Sequence, residues 1–235
     1  MKKFLSFSLT VLFGIAVFLF IITFSIGLPI YNRLFYYLQI EPLGLPEITG
    51  YDAETIKAAY NQVLDYLTLP NKPFGVGVFK YTQDGAAHFA DCKALFNLNI
   101  VVMIISAVII VTTLILQKLN IVQLKRPFGY SVAFISAISI FAVILIIVLL
   151  AASDFNRAFI VFHEIFFAGK DNWTFDPRYD EIVKVLPETF FMNCAIFIGV
   201  GIIVLSLGII IFQIIKKKRS NNKKFSKNGE FTQNN

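Results

Sequence analysis

Four long stretches of the chain contain no charged residue and no histidine, and the polar residues concentrate between them. The stretches run from Phe4 to Ile30, Leu98 to Leu116, Phe128 to Ala152 and Phe191 to Ile215. Each approaches or exceeds the ~20 predominantly apolar residues that a helix needs to cross the hydrocarbon core of a bilayer. The pattern therefore predicts transmembrane helices at residues 1–30, 98–117, 128–152 and 191–215.

The segment between the first two predicted spans carries three shorter patterns. Apolar residues recur at helical spacing behind a capping Asp52, which predicts an amphipathic helix with one face on the membrane: Ile56, Tyr60, Val63, Leu64 and Leu67. The stretch PFGVGVFKYTQDG alternates like a short strand and ends in a turn. The next stretch, AAHFADCKALFNL, predicts a helix that continues into the second span.

Composition and charge agree with a membrane protein and give it an orientation. The chain is 57% hydrophobic and 15% charged, with a mean hydropathy of +0.70. The two chain ends and the loop 118–127 hold twelve of the 21 basic residues, which predicts that these segments are cytoplasmic. Fourteen of the 15 acidic residues lie in the loops 31–97 and 153–190, which we therefore expect outside.

These assignments predict an all-α membrane protein with four transmembrane helices. The two outward loops are too long for simple connectors, so we expect them to form a small extracytoplasmic cap. The basic tail 216–235 suits anionic lipid on the cytoplasmic side, and nucleic-acid binding is not needed to explain it. From Ser220 onward the tail is polar, so we expect it to be disordered.

The chain has only two histidines, His88 and His163, and both lie next to predicted spans. His88 and Asp91 share a helical face, so we expect the Asp91 carboxylate to orient the His88 ring. His163 follows Asn156 by seven residues, beside a stripe of phenylalanines. Histidine transfers protons near neutral pH, which makes the pair a candidate for general acid and base catalysis.

Other interpretations remain open at this point. Boundary aromatic residues often anchor spans, and a lone boundary histidine is often only hydrogen-bonded or solvated. His88, Asp91, His163 and Glu164 have the ligand types of a zinc site, and Cys92 and Cys194 are candidates for a disulfide. No Walker loop, dinucleotide fingerprint or G-x-S-x-G motif occurs, so cofactor-free chemistry and a non-enzymatic tetraspan binding or assembly protein both survive.

Several segments resemble the lipoprotein intramolecular transacylase family. They are HFADCKALF before the second span, YNQVLDYL and PFGVGVF before it, and FHEIFFAGKDNWTFDP after the third span. The resemblance covers most of the chain apart from the cytoplasmic tail. The family's proteins are bacterial membrane enzymes that move an acyl chain within a diacylglyceryl lipoprotein, from the glyceryl sn-2 oxygen to the amine of the N-terminal cysteine. The product is a lyso-form lipoprotein.

The resemblance implies that His88 and His163 are the catalytic residues. We expect His88, supported by Asp91, to be the general base and His163 to stabilise the oxyanion or protonate the leaving oxygen, although the exchanged roles fit equally well. Asn156 is a further supporting candidate, and aromatic residues are expected to shape a water-poor substrate pocket: Phe159, Phe162, Phe166, Phe167 and Trp173. No metal or other cofactor is expected. Cys92 replaces an expected aliphatic residue, which argues against an acyl-cysteine intermediate.

Overall fold

The computed structural model describes the backbone of residues 2–233 and the side chains of residues 6–220 and 222. Every regular element in that part of the chain is helical, and no β-strand forms there. In chain order the helices are α1 (Lys2–Ile30), α2 (Arg33–Tyr37), α3 (Leu45–Thr49), α4 (Ala53–Thr68), α5 (Gln83–Lys118), a 3-10 turn (Pro127–Gly129), α6 (Val132–Ser153), α7 (Phe155–Phe166), α8 (Ile182–Val185) and α9 (Glu188–Gln233).

The four predicted spans are confirmed as helices. Four helical segments are long and apolar enough to cross a membrane: Ser6–Ile30 in α1, Gln83–Lys118, Val132–Ser153 and Glu188–Ser220 in α9. Helix α5 has 36 residues, which is longer than the ~20 that a bilayer requires. The predicted helix around HFADCKALF therefore continues without a break into the charge-free part of α5.

The tail differs from its prediction, because α9 continues to Gln233 and the expected disorder after Ser220 is wrong. No proline follows Pro187, so nothing in the sequence removes an amide donor from the helical ladder. The last two residues, 234 and 235, lie outside the described part of the chain.

Two compact units make up the chain. The first contains Met1–Ile22, Ile105–Ile144 and Ile202–Asn235, and the second contains Thr23–Ile104 and Leu145–Gly201. In the first unit α1 and α6 approach closely at Gly14, where an added Cβ atom would lie 2.5 Å from Val132 Cγ1. The Ser136 hydroxyl donates to the Gly14 carbonyl at 2.8 Å, which fixes this crossing with a hydrogen bond.

The second unit has a hydrophobic core to which both long loops contribute. Helix α4 begins behind Asp52, whose carboxylate accepts from the Thr55 amide, as the sequence predicted. Its apolar face packs against Ile182, Val185 and residues of the first loop. The expectation that this face lies on the membrane is wrong, because Ile56, Tyr60, Val63, Leu64 and Leu67 are all buried within the protein.

The predicted strand at PFGVGVFKYTQDG does not form. Gly77 has a left-handed φ of 65° and lies close to Ala59, which an extended strand would not allow. Backbone amides of this stretch donate to side chains rather than to another strand: Gly77 donates to Gln62, Lys80 to Glu181 and Thr82 to Asp180. These side-chain acceptors satisfy the loop without a sheet.

Candidate active site

Asp180 anchors the start of α5 and thereby places His88. Its carboxylate accepts hydrogen bonds from the amide and the hydroxyl of Thr82, immediately before the helix. Gly85 lies so near that a Cβ atom there would be 2.3 Å from Asp180 Oδ1. A residue without a side chain is therefore needed at position 85, and His88 follows on the next turn, buried with 5% of its surface exposed.

His163 is placed by α7. This helix begins at Asp154, whose carboxylate accepts from the Arg157 amide at 3.0 Å. The His163 ring bonds back to its own helix, with Nδ1 at 2.7 Å from the Phe159 carbonyl. A carbonyl oxygen only accepts, so the proton of the neutral ring lies on Nδ1. Nε2 then carries the lone pair, and no described residue binds it.

The two imidazoles lie side by side, with ring centroids 5.8 Å apart and an angle of 29° between the ring planes. Phe167 packs against both, at 4.7 Å from His88 and 5.6 Å from His163 between centroids. Phe175 also packs against His88, with 5.4 Å between ring centroids, and Trp173 packs against His163 with 5.0 Å between centroids. Aromatic rings thus surround the pair and keep it in an apolar environment.

This environment favours neutral imidazoles. Burial lowers the pKa of His163 below its ordinary value of 6.5, and the hydrogen bond to the Phe159 carbonyl only partly opposes that effect. His88 is similarly buried, and its Nδ1 has no hydrogen-bond partner among the side chains and backbone that the structure describes. An unpartnered buried polar atom costs about 1–3 kcal/mol in folding free energy, which a ligand can recover by supplying the missing bond.

Asp91 does not hydrogen-bond the His88 ring, contrary to the expectation that its carboxylate contacts and orients that ring. Its carboxylate accepts from the Lys170 ammonium and, at 3.1 Å, from the Asn172 amide. The Trp173 indole in turn donates to the Lys170 carbonyl at 3.1 Å. We call Asp91, Lys170 and Asn172 the clasp, because together they tie α5 to the loop that carries Trp173. The contacts of Asp91 therefore connect it to that loop rather than to the imidazole.

Both histidines line an elongated cavity of about 750 Å³ within the second unit. This volume is in the range of ~300–1,000 Å³ that is usual for ligand sites. Its walls are mostly aliphatic and aromatic, and Glu188 is the one carboxylate among the described residues that line it. Phe159, Phe162, Phe167 and Trp173 line the cavity as expected. The cavity therefore presents two imidazoles to a bound ligand, and its other walls are largely apolar.

Two expected residues lie away from the rings. Phe166 is 52% exposed and does not line the cavity, because it is on the outer face of α7 and packs on Phe162. Asn156 is exposed and donates to Glu188 at 2.9 Å, with no contact to His163. It therefore touches the cavity only through Glu188.

The zinc and disulfide alternatives can be compared with the same geometry. Among side chains 6–220 and 222, no group of three or more His, Cys, Asp or Glu residues is close enough together to hold a metal ion. Cys92 and Cys194 are both free thiols, and both line the cavity. Cys92 Sγ lies 3.4 Å from His88 Nε2.

Sequence reasoning missed the clasp partners Lys170 and Asn172, and it missed Phe175 and Asp180. Lys170 and Asn172 are close to Trp173 in the stretch GKDNW, but nothing in their spacing indicates a partner on α5. The one available signal for Asp180 was Gly85, since a glycine inside a helix often marks a close approach.

These features define an all-helical membrane protein whose two buried histidines line one apolar cavity. The family model for the lipoprotein intramolecular transacylase Lit matches residues 11–191. No curated protein sequence matches the chain significantly. The chain belongs to the lipoprotein intramolecular transacylase family, and it is accordingly a lipoprotein acyltransferase, with four helices that are long and apolar enough to cross a membrane.

The fold is similar to that of solved structures of the membrane-integral lipoprotein intramolecular transacylase Lit from Bacillus cereus. One matches with a TM-score of 0.80 and 23% sequence identity, over 93% of this chain and 100% of the other. Two variants of that protein, with one histidine replaced by arginine or alanine, match with TM-scores of 0.73, at 23% and 22% identity. Each of these two matches covers 93% of this chain, together with 96% of the arginine variant and 97% of the alanine variant.

Proposed function

We propose that this enzyme moves an acyl chain within a diacylglyceryl lipoprotein, from the glyceryl sn-2 oxygen to the amine of the N-terminal cysteine. The observation that carries the proposal is the pair of neighbouring imidazoles, 5.8 Å apart, on one apolar cavity. The cavity walls suit acyl chains, and the imidazoles suit the ester and amine that react. A non-enzymatic tetraspan protein would have no use for an unpartnered histidine nitrogen in such a place.

The reaction requires two proton movements. The amine nitrogen forms a bond with the ester carbonyl carbon and loses one proton, and the carbon–oxygen bond to the glyceryl group breaks as that oxygen gains one proton. The products are an amide and a free glyceryl hydroxyl. One imidazole pair can accept the first proton and supply the second, so the proposal includes no metal or other cofactor.

The hydrogen bonds favour the exchanged roles for the two histidines. His163 donates from Nδ1 to Phe159, which leaves the Nε2 lone pair for the general base. The unpartnered Nδ1 of His88 can hydrogen-bond the oxyanion or the departing oxygen if it carries a proton. After His163 has accepted the amine proton, its imidazolium can protonate the glyceryl oxygen.

Because donor and acceptor belong to one molecule, positioning supplies much of the acceleration. A well-oriented intramolecular reaction can gain about 7–11 kcal/mol relative to the bimolecular one. The aromatic residues around the imidazoles would hold the folded substrate and limit competition from water. The acidic loops are proposed to face outward and the two chain ends to be cytoplasmic, so the lipoprotein would enter from the extracytoplasmic side.

A label-crossover experiment tests this function. Two diacylglyceryl lipopeptides are mixed with purified enzyme, one with heavy acyl chains and a light peptide, the other with the opposite labelling. We expect lyso-form products in which every acyl label stays with its original peptide, detected by mass spectrometry. Crossed products in substantial yield would contradict intramolecular transfer, and free fatty acid as the main product would instead indicate a hydrolase. A chelator arm shows whether a metal ion is needed.

A further inference from the structure

The His88 ring lies in mostly apolar surroundings, and the Cys92 thiol on the same helix is a polar group in contact with it. Its Sγ lies 3.4 Å from His88 Nε2, one helical turn further along α5. The other contacts of the ring are Phe89, Phe167, Phe175 and His163, all of them ring contacts. The Asp91 carboxylate, on the same helix, accepts from Lys170 and Asn172 instead of contacting the His88 ring.

The contact between Cys92 and His88 is compatible with both directions of hydrogen bonding, because a thiol can donate or accept. Cys92 lines the apolar cavity and is a free thiol, and a thiol in apolar surroundings keeps its proton. The retained S–H group can therefore donate to Nε2 when that nitrogen carries the ring's lone pair. With the bond in this direction the proton of the neutral ring is on Nδ1, the nitrogen that has no hydrogen-bond partner among the described residues.

We propose that Cys92 is a positioning residue that fixes His88 in the Nδ1-protonated tautomer. This inference rests on the proposed function, in which His88 Nδ1–H donates to the oxyanion while His163 Nε2 accepts the amine proton. The two imidazoles then have complementary reactive nitrogens, one carrying a proton and the other a lone pair. A carboxylate beside Nε2 would favour the opposite tautomer, because a carboxylate only accepts. The thiol therefore suits a donor role for His88.

The test combines imidazole NMR with kinetics on the full-length protein in detergent micelles. Only two histidines are present, so ¹⁵N-histidine labelling gives two imidazoles to assign. In the unmodified protein we expect His88 to be protonated on Nδ1. Cys92→Val should shift it towards the Nε2-protonated form and lower kcat about 10-fold with a smaller change in KM. Cys92→Ser keeps a donor at the same position and should retain the tautomer and a higher kcat than the valine variant.

Cys194→Val is the matched control for the tautomer, because Cys194 also lines the cavity without a hydrogen bond to a histidine. It should leave the His88 signals unchanged. The proposal would be overturned by Nε2 protonation of His88 in the unmodified protein, or by a Cys92→Val variant with unchanged tautomer and kcat. The tautomer is measured without substrate, so it is informative even if the transacylase function fails in the label-crossover experiment.

Discussion

Nδ1 of His163 donates to the carbonyl of Phe159 at 2.7 Å, which fixes the tautomer of His163. The side chain of the same phenylalanine lines the cavity. The ring centroids of the two residues are 4.2 Å apart. The hydrogen bond spans one turn of α7 and leaves Nε2 as the basic nitrogen. The helix backbone thereby does for His163 what the Cys92 thiol is proposed to do for His88.

The first prediction concerns the protonation of His163. Its folded-state pKa is below the ordinary 6.5, so the folded protein holds this proton less tightly than the unfolded chain does. In ¹⁵N-histidine spectra the ring should titrate with a midpoint below 6.5, and its neutral form should carry the proton on Nδ1. The contribution of neutral His163 to the free energy of unfolding should be complete above pH ~6.5 and should decline as the pH falls below that value. A ring that titrates at or above 6.5 would contradict the structural assignment.

The second prediction concerns the clasp. Asp91→Asn weakens the ion pair with Lys170, and we expect a loss of about 1 kcal/mol in unfolding free energy, since both side chains are partly exposed. Lys170→Met should have a similar effect, and the double variant should lose less than the sum. If Asp91 instead oriented His88 directly, Asp91→Asn would alter the His88 NMR signals and Lys170→Met would not.

A third prediction uses two adjacent phenylalanines, Phe166 at the end of α7 and Phe167 immediately after it. Phe167 is 4% exposed and packs on both imidazoles, whereas Phe166 is 52% exposed and does not line the cavity. Phe167→Leu should lower lyso-form production about 10-fold or more and raise the fraction of acyl chains released as fatty acid. Phe166→Leu is the matched control and should change neither. Equal effects of the two substitutions would show that the cavity is misassigned.

The fourth prediction tests the orientation of the chain. Lys72 lies in the first long loop and Lys218 near the cytoplasmic end of the predicted fourth span, and both are exposed. In intact cells a membrane-impermeant thiol reagent should label Lys72→Cys but label Lys218→Cys only after lysis. The parent chain gives the background from Cys92 and Cys194. The opposite labelling pattern would place the cavity on the cytoplasmic side.

The sequence predicted those parts of the fold that depend on local pattern. The four spans and the capped α4 helix follow from hydropathy, periodicity and capping, which neighbouring residues determine. The strand prediction failed because alternation alone cannot show whether a partner strand exists. In the structure, side chains of Gln62, Asp180 and Glu181 take the place of that partner.

The site was predicted only as far as residue types and family resemblance allow. His88 and His163 were identified, but their separation depends on how two distant helices pack. Asp91 shares a helical face with His88, yet the more distant Lys170 and Asn172 bind it, because a carboxylate is better satisfied by an ammonium and an amide. Phe166 was grouped with its neighbours because spacing does not tell which side of a helix faces a cavity.

The most direct test of the account is the activity of His88→Ala and His163→Ala in purified form on a diacylglyceryl lipopeptide. Each histidine is proposed to take part in proton transfer or oxyanion stabilisation, which typically contributes ~10²–10⁴ in rate. We expect each variant to lose at least about 100-fold in lyso-form production while retaining its helical content, with Asn156→Ala, which contacts neither ring, near the parent activity. Substantial lyso-form production by either folded histidine variant would contradict catalysis by the pair.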